Sequence, residues 1–129
     1  MILALYLSNT ANKKQLIRQI MEQKMLKDYL DLANKKVLLH STITIDKIID
    51  EEFRLDRFPI QTAENSSLES MSSGQQKKNL LHYLIGQHPD YLVLDDVYSN
   101  VDKATQAEIK ERLIHLSDEI QLIQIVFRK

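Results

Sequence analysis

Tyr91-Leu92-Val93-Leu94-Asp95-Asp96-Val97-Tyr98-Ser99-Asn100-Val101-Asp102 is the stretch that decides the fold. Its first four residues are a continuous apolar run, closed by Pro89-Asp90 before it and by two carboxylates after it. A run this short and bounded this sharply reads as a strand buried on both faces, the kind found inside a parallel sheet. The acids then stand at the carboxyl end of that strand, and sheets of this type take their ligands there.

The surroundings repeat the pattern. Downstream, Lys103 to Leu116 predicts a helix with Ala107, Ile109, Leu113 and Leu116 inward, and Leu122 to Phe127 predicts a last strand. Upstream, a helix is expected from about Ser73 to Gln87, with Leu80, Leu81, Leu84 and Ile85 inward; His88-Pro89-Asp90 stops it. Arg54 to Ser70 has no sustained period and contains Pro59, so it reads as a long loop. Thr44 to Phe53 is expected to be helical, with Ile45, Ile48, Ile49 and Phe53 as its apolar stripe, and Val37-Leu38-Leu39 to be a strand. Ile2 to Leu7 is expected to be a buried strand and Ser8 to Asn12 a turn. Leu16, Ile17, Ile20 and Met21 mark a following helix to about Met25, and Asp28 to Ala33 fits one more helical turn. Apolar strands alternating with amphipathic helices predict an α/β layered fold with a mostly parallel sheet.

Composition bounds the function. The chain has 129 residues, enough for one domain with its own core and too few for two. It has no cysteine, which excludes disulfides, thiolate zinc sites and cysteine nucleophiles. Seventeen basic residues against 18 acidic ones give a net charge of −1, so the molecule as a whole is not built for nucleic acid. The pairs Lys13-Lys14, Lys35-Lys36 and Lys77-Lys78 read as solvated faces. The apolar start, Met1 to Leu7, lacks the flanks of a secretion signal and is far too short to span a membrane. Only two glycines occur, Gly74 and Gly86.

Met71-Ser72-Ser73-Gly74-Gln75, the run Tyr91 to Asp96, and Ser99-Asn100-Val101-Asp102 together resemble the ATP-binding cassette (ABC) ATPase family. The first is similar to the family's signature, Leu-Ser-Gly-Gly-Gln, with two departures. The second resembles its Walker B strand and the third its D-loop. Ser72 and Asp95 are 23 positions apart and Asp95 and Asp102 are 7 apart, both of which suit the family. The resemblance is strongest over residues 68 to 102 and implies a P-loop NTPase-like fold. Residue chemistry agrees with it. A helix starting at Ser72-Ser73 offers unpaired N–H groups and partial positive charge to a phosphate, although Ser72 as a plain helix cap is the alternative. Asp95, ending a strand, can hold Mg²⁺ directly or through water, although for the Asp95-Asp96 pair a strand end capping the next turn is the alternative. Asp96 stands where the family has the glutamate that orients attacking water, one methylene shorter.

Aligned through Leu16-Ile17, Asn9-Thr10-Ala11-Asn12-Lys13-Lys14-Gln15 resembles a Walker A loop that has lost its glycines and the hydroxyl pair for Mg²⁺, with Lys13 as the phosphate lysine. The alternative is a solvated lysine pair at a helix start. Val37 to Ser41, then Ile43 to Ile48, resembles the strand and Q-loop, with His40 in place of the glutamine; an ordinary surface or strand-end histidine is the alternative. By the resemblance a switch histidine would follow the last strand, where Phe127-Arg128-Lys129 stand, so it is expected to be absent or cut off. Lys13 and Ser72 are only 59 positions apart, so the helical subdomain is expected to be reduced or the chain to lack material.

The resemblance implies one domain over residues 1–129, with a degenerate Walker A and Q-loop part in 1–53 and the signature, Walker B and D-loop part in 54–129. It implies ATP and Mg²⁺ as ligands. A second cassette would pair head to tail, its nucleotide touched by Ser72, Ser73, Gly74 and Gln75, with Asp102 coupling the two sites. Transmembrane subunits are further implied partners, and the location is expected to be cytoplasmic. The rival expectations are a binding or scaffold protein that keeps the fold without catalysis, and a nucleic-acid-associated ATPase of the same type.

Overall fold

The structure, a computed structural model, describes residues 2–7, 15, 18, 36–63 and 66–127. The elements are β1 (Ile2–Leu7), β2 (Val37–His40), α1 (Thr42–Leu55), α2 (Ser73–Ile85), β3 (Tyr91–Asp95), α3 (Lys103–Leu116) and β4 (Gln121–Phe127). The strands form one sheet in the order β1-β4-β3-β2, and every pairing is parallel. This is the α/β fold that the alternation of elements predicts. Of the expected helix from Leu16 to about Met25 only Arg18 is described, and it is helical; the rest of that helix, the turn Asp28 to Ala33 and the loop bearing Lys13 lie outside the described residues. Among the described residues no helix is long and apolar enough to cross a membrane.

β3 is interior and shows why its sequence is uniformly apolar. Leu92, Val93 and Leu94 are all at most 1% exposed, so both faces of the strand are covered. One core joins Leu92, Leu94 and Leu122 of the sheet to Leu80, Leu81 and Leu84 of α2 and to Ile109, Leu113 and Leu116 of α3. Ala107, expected inward, is exposed. The stripe Ile109-Leu113-Leu116 already occupies the packed face, and Ala107 falls beside it. α2 ends at Ile85, two residues earlier than expected. Gly86 caps it, and His88 turns the chain with a positive φ of 55° before Pro89.

α1 differs from expectation on one face. It starts at Thr42, capped by Ser41, whose hydroxyl accepts from the Thr44 N–H. Ile45 and Ile48 are buried, but Phe53 is 85% exposed. The helical period explains this. Ile45, Ile48, Ile49 and Glu52 follow the spacing i, i+3, i+4, i+7, and Phe53 falls off the edge of that stripe. Glu52 takes the inward position and is 6% exposed. Its carboxylate accepts from the backbone N–H of Leu68 at 2.6 Å and of Glu69 at 3.4 Å. The Leu68 carbonyl in turn accepts from Met71 N–H and from the Gln76 amide. Glu52 therefore anchors the turn that leads into α2. Glu52→Ala leaves a buried amide without its acceptor and should lower unfolding free energy by about 1–3 kcal/mol. Urea denaturation should show a lower midpoint with an unchanged slope.

Candidate functional site

All four strands are parallel, so their carboxyl ends share one edge of the sheet. In the register His40 faces Leu94 and Asp95 faces Ile125, which places His40 and Asp95 on neighbouring strands at that edge. Asp95 is 5% exposed. A carboxylate at the rim of a buried strand is an oxygen donor held rigidly by the sheet. A lone carboxylate of this kind is a donor that Mg²⁺ can take where other oxygens complete its shell.

Asp96 comes next. It is exposed and its backbone is left-handed, with φ at 59°. The turn of direction points its carboxylate out of the strand, and Oδ2 accepts from the Ser99 hydroxyl at 2.8 Å. Asn100 is left-handed as well, at 57°. Aspartate and asparagine tolerate this conformation better than other residues with a side chain. The chain then reaches Asp102, the N-cap of α3, whose carboxylate accepts from the Thr105 N–H at 3.3 Å. Hydrogen bonding to the side chain and backbone of Thr105 holds the Asp102 carboxyl below its usual range.

Ser72 is the N-cap of α2, and with Gln75 it forms a full capping box. The Ser72 hydroxyl accepts from Gln75 N–H, and the Gln75 side-chain oxygen accepts from Ser72 N–H, each at 3.3 Å. The Gln76 N–H closes the first helical turn on the Ser72 carbonyl. The N–H groups of Ser73 and Gly74, the first two of the helix, have no acceptor within it. Ser73 is exposed. Gly74 is buried, and the direction in which a side chain would project is filled by the start of α3. A Cβ there would lie 3.4 Å from Thr105 Cγ2 and 3.6 Å from both Asp102 Oδ1 and Val101 Cγ1. These are ordinary contact distances, and the close approach to Gly74 comes from the segment that resembles the D-loop.

Lys77 overturns the reading of Lys77-Lys78 as a solvated pair. Lys78 does reach the surface, where it pairs with Glu108. Lys77 is 4% exposed, and its ammonium donates to the carbonyls of Asp96 at 2.9 Å and Ser99 at 2.5 Å and to the Ser99 hydroxyl at 3.3 Å. Burial pulls its pKa down, while the carboxylates of Asp96 and Asp95 oppose that shift. Helical period alone points inward, since Lys77 precedes Leu80, Leu81 and Leu84 by three, four and seven positions, while its residue type points to solvent.

His40 is a strand-end residue as expected, but it is not at the surface. It is 1% exposed. Its Nε2 lies 2.8 Å from the Lys77 carbonyl. A carbonyl only accepts, so Nε2 carries the proton and Nδ1 presents a lone pair, which has no partner among the described residues. Burial lowers the His40 pKa. Of the residues singled out in the sequence, the structure thus gathers Asp95, Asp96, Ser72, Ser73, Gly74, Gln75 and Asp102 along β3, the following turn and the two helix starts packed on it. Lys13 lies outside the described residues.

No protein-family model matches the sequence, and no curated protein matches it. Forty-three solved chains match in structure. Among them is the ADP conformation of MJ1267, an ATP-binding cassette of an ABC transporter. It superposes with a TM-score of 0.58 over 98% of this chain and 70% of its own length, at 12% identity. At that identity the likeness is one of fold.

Proposed function

We propose that this chain, whose fold is that of an ATP-binding cassette, is an ABC-type domain that binds Mg²⁺·ATP and works in a head-to-tail pair with a second cassette. One observation carries the reading. On the cassette fold, the three resembling segments occur in the family's order and meet at one place, with buried Asp95 at the strand edge and the capped start of α2 packed through Gly74 against the start of α3.

In this reading residues 1–129 form one unit. The 1–53 part supplies the phosphate loop with Lys13, and the 54–129 part supplies the rest. Asp95 holds Mg²⁺, which when bound neutralises phosphate charge. Asp96 positions water, and Ser72, Ser73, Gly74 and Gln75 present the start of α2 to the γ-phosphate on the partner. Asp102 couples the two sites. The pair serves a transport or remodelling cycle at the cytoplasmic side of a membrane, through transmembrane subunits. A second reading, a scaffold that keeps the fold without hydrolysis, is favoured by the lack of any glycine near Lys13.

Thermal unfolding with and without Mg²⁺·ATP separates the parts of this reading. A ligand at a hundred times its Kd stabilises the folded state by about 2.7 kcal/mol. The wild type should gain a higher Tm with ATP, and Lys13→Ala should lose most of that gain while keeping its ligand-free Tm. An equal gain in both removes Lys13 from the site.

A further inference from the structure

We infer that Lys77 is a positioning residue: it fixes the turn that carries Asp96 and ties that turn to the start of α2, so that the two parts of the candidate site move as one body. The inference rests on the proposed nucleotide site for its functional meaning and on geometry for its substance.

An ammonium has three N–H donors, and here three oxygens receive them: the Asp96 carbonyl, the Ser99 carbonyl and the Ser99 hydroxyl. A buried cation is destabilising unless it is fully hydrogen-bonded, so a lysine in the apolar stripe of α2 is retained for what it holds. What it holds is a turn with left-handed residues at both ends, Asp96 and Asn100. The same Ser99 hydroxyl that receives Lys77 donates onward to Asp96 Oδ2. Lys77 thereby sets the Asp96 carboxylate through one intermediate atom. From the other side, the Gln106 amide donates to the carbonyls of Tyr98 and Val101. The turn is clamped between α2 and α3.

Lys77 is itself located by its main chain, since His40 Nε2 donates to its carbonyl. It shares a face of α2 with Gly74, three residues earlier, which packs on Val101, Asp102 and Thr105. A displacement of the α2 start, such as a partner's nucleotide would impose, is therefore carried by Lys77 and Gly74 directly to Asp96 and Asp102. Sites coupled this way respond through contiguous rigid contacts.

The chain contains no cysteine, which permits a clean test. Lys77→Met removes the ammonium at similar length. Lys77→Cys, alkylated with 2-bromoethylamine in denaturant and refolded, restores an ammonium at that one position. Backbone ¹⁵N order parameters are measured for residues 96–100, together with the Gly74 amide resonance, ATP turnover and ATP affinity. In the wild type and the alkylated protein the turn should be rigid, at about 0.85. In Lys77→Met it should fall below about 0.6 and the Gly74 resonance should move. Turnover should drop about 100-fold while ATP Kd changes less than about twofold, because Asp96 is misplaced and not removed. Unchanged order parameters and an unmoved Gly74 resonance in Lys77→Met overturn the inference. If Lys77→Met does not fold, the wild-type Lys77 ammonium decides it. Its ¹⁵Nζ signal should resist solvent exchange and show hydrogen-bond couplings to the Asp96 and Ser99 carbonyl carbons, and their absence overturns it. A wild type that neither binds nor turns over ATP sinks the nucleotide reading, while the order parameters still decide the positioning role.

Discussion

Asp95→Asn should reduce ATP affinity in the presence of Mg²⁺ to the value measured without the metal, a loss of at least about tenfold, or roughly 1.4 kcal/mol. The substitution keeps size and shape at a position 5% exposed at the end of β3. It removes the negative charge that would face the cation. A divalent ion held through one carboxylate and nucleotide oxygens loses its protein anchor when that carboxylate becomes an amide. Affinity in EDTA should be the same for both proteins. Isothermal titration with ATP under both conditions measures the difference, and an unchanged Mg²⁺-dependent gain in Asp95→Asn removes Asp95 from the metal site. Asp96→Asn provides the contrast: Asp96 is exposed and turned away from the strand, so its loss should affect turnover more than the metal-dependent gain.

Acidification should destabilise the fold through His40. Burial lowers the pKa of this imidazole below its ordinary value of 6.5. The unfolded chain therefore binds the proton first, and unfolding takes up protons between the two pKa values. The stability conferred by the neutral ring is fully present above about pH 6.5 and is lost as pH falls toward the folded pKa. Within that window the slope contributed by one proton is about 1.4 kcal/mol per pH unit at most. The structural cause is definite. His40 is closed off from water and the Lys77 ammonium opposes a second positive charge nearby, while the Nε2 bond to the Lys77 carbonyl favours the charged ring and is outweighed. The carboxylate of Asp95 acts in the other direction but is outweighed by burial. Urea unfolding of the wild type and His40→Gln across pH 5 to 8 should show this component of the slope in the first and not in the second. Equal slopes would mean that His40 is hydrated in the native state.

Much of the fold was legible because its signals are local. Leu92-Val93-Leu94 could only be a doubly covered strand, and the inward leucines of α2 fall at helical spacing. The order β1-β4-β3-β2 was not legible, because four short apolar strands carry no information about which lies beside which. The site was legible where residue type and position agree, as with Asp95 at a strand end and Ser72 before a helix. It was not legible where a charged residue occupies an apolar stripe. Lys77 and Glu52 both sit at inward positions by period, and residue type argued for solvent. In each case backbone groups at a distant point in the chain, 96 to 99 for Lys77 and 68 to 69 for Glu52, meet the charge. Those partners come from tertiary folding, which no local window of sequence reveals. Phe53 is the converse, an apolar residue read as core that the helical period carries to the surface.

A residue-resolved NMR titration with Mg²⁺·ATP reads nucleotide binding and cassette pairing in one experiment. At low protein concentration the amides of Lys13, Asp95 and Asp96 should shift together and saturate with one Kd. As protein concentration rises, Ser73 and Gly74 should join them, because the start of α2 meets nucleotide only on a paired cassette. Shifts confined to surfaces away from β3 and the start of α2, or no shift at millimolar ATP, would mean that this chain is not a paired nucleotide-binding cassette.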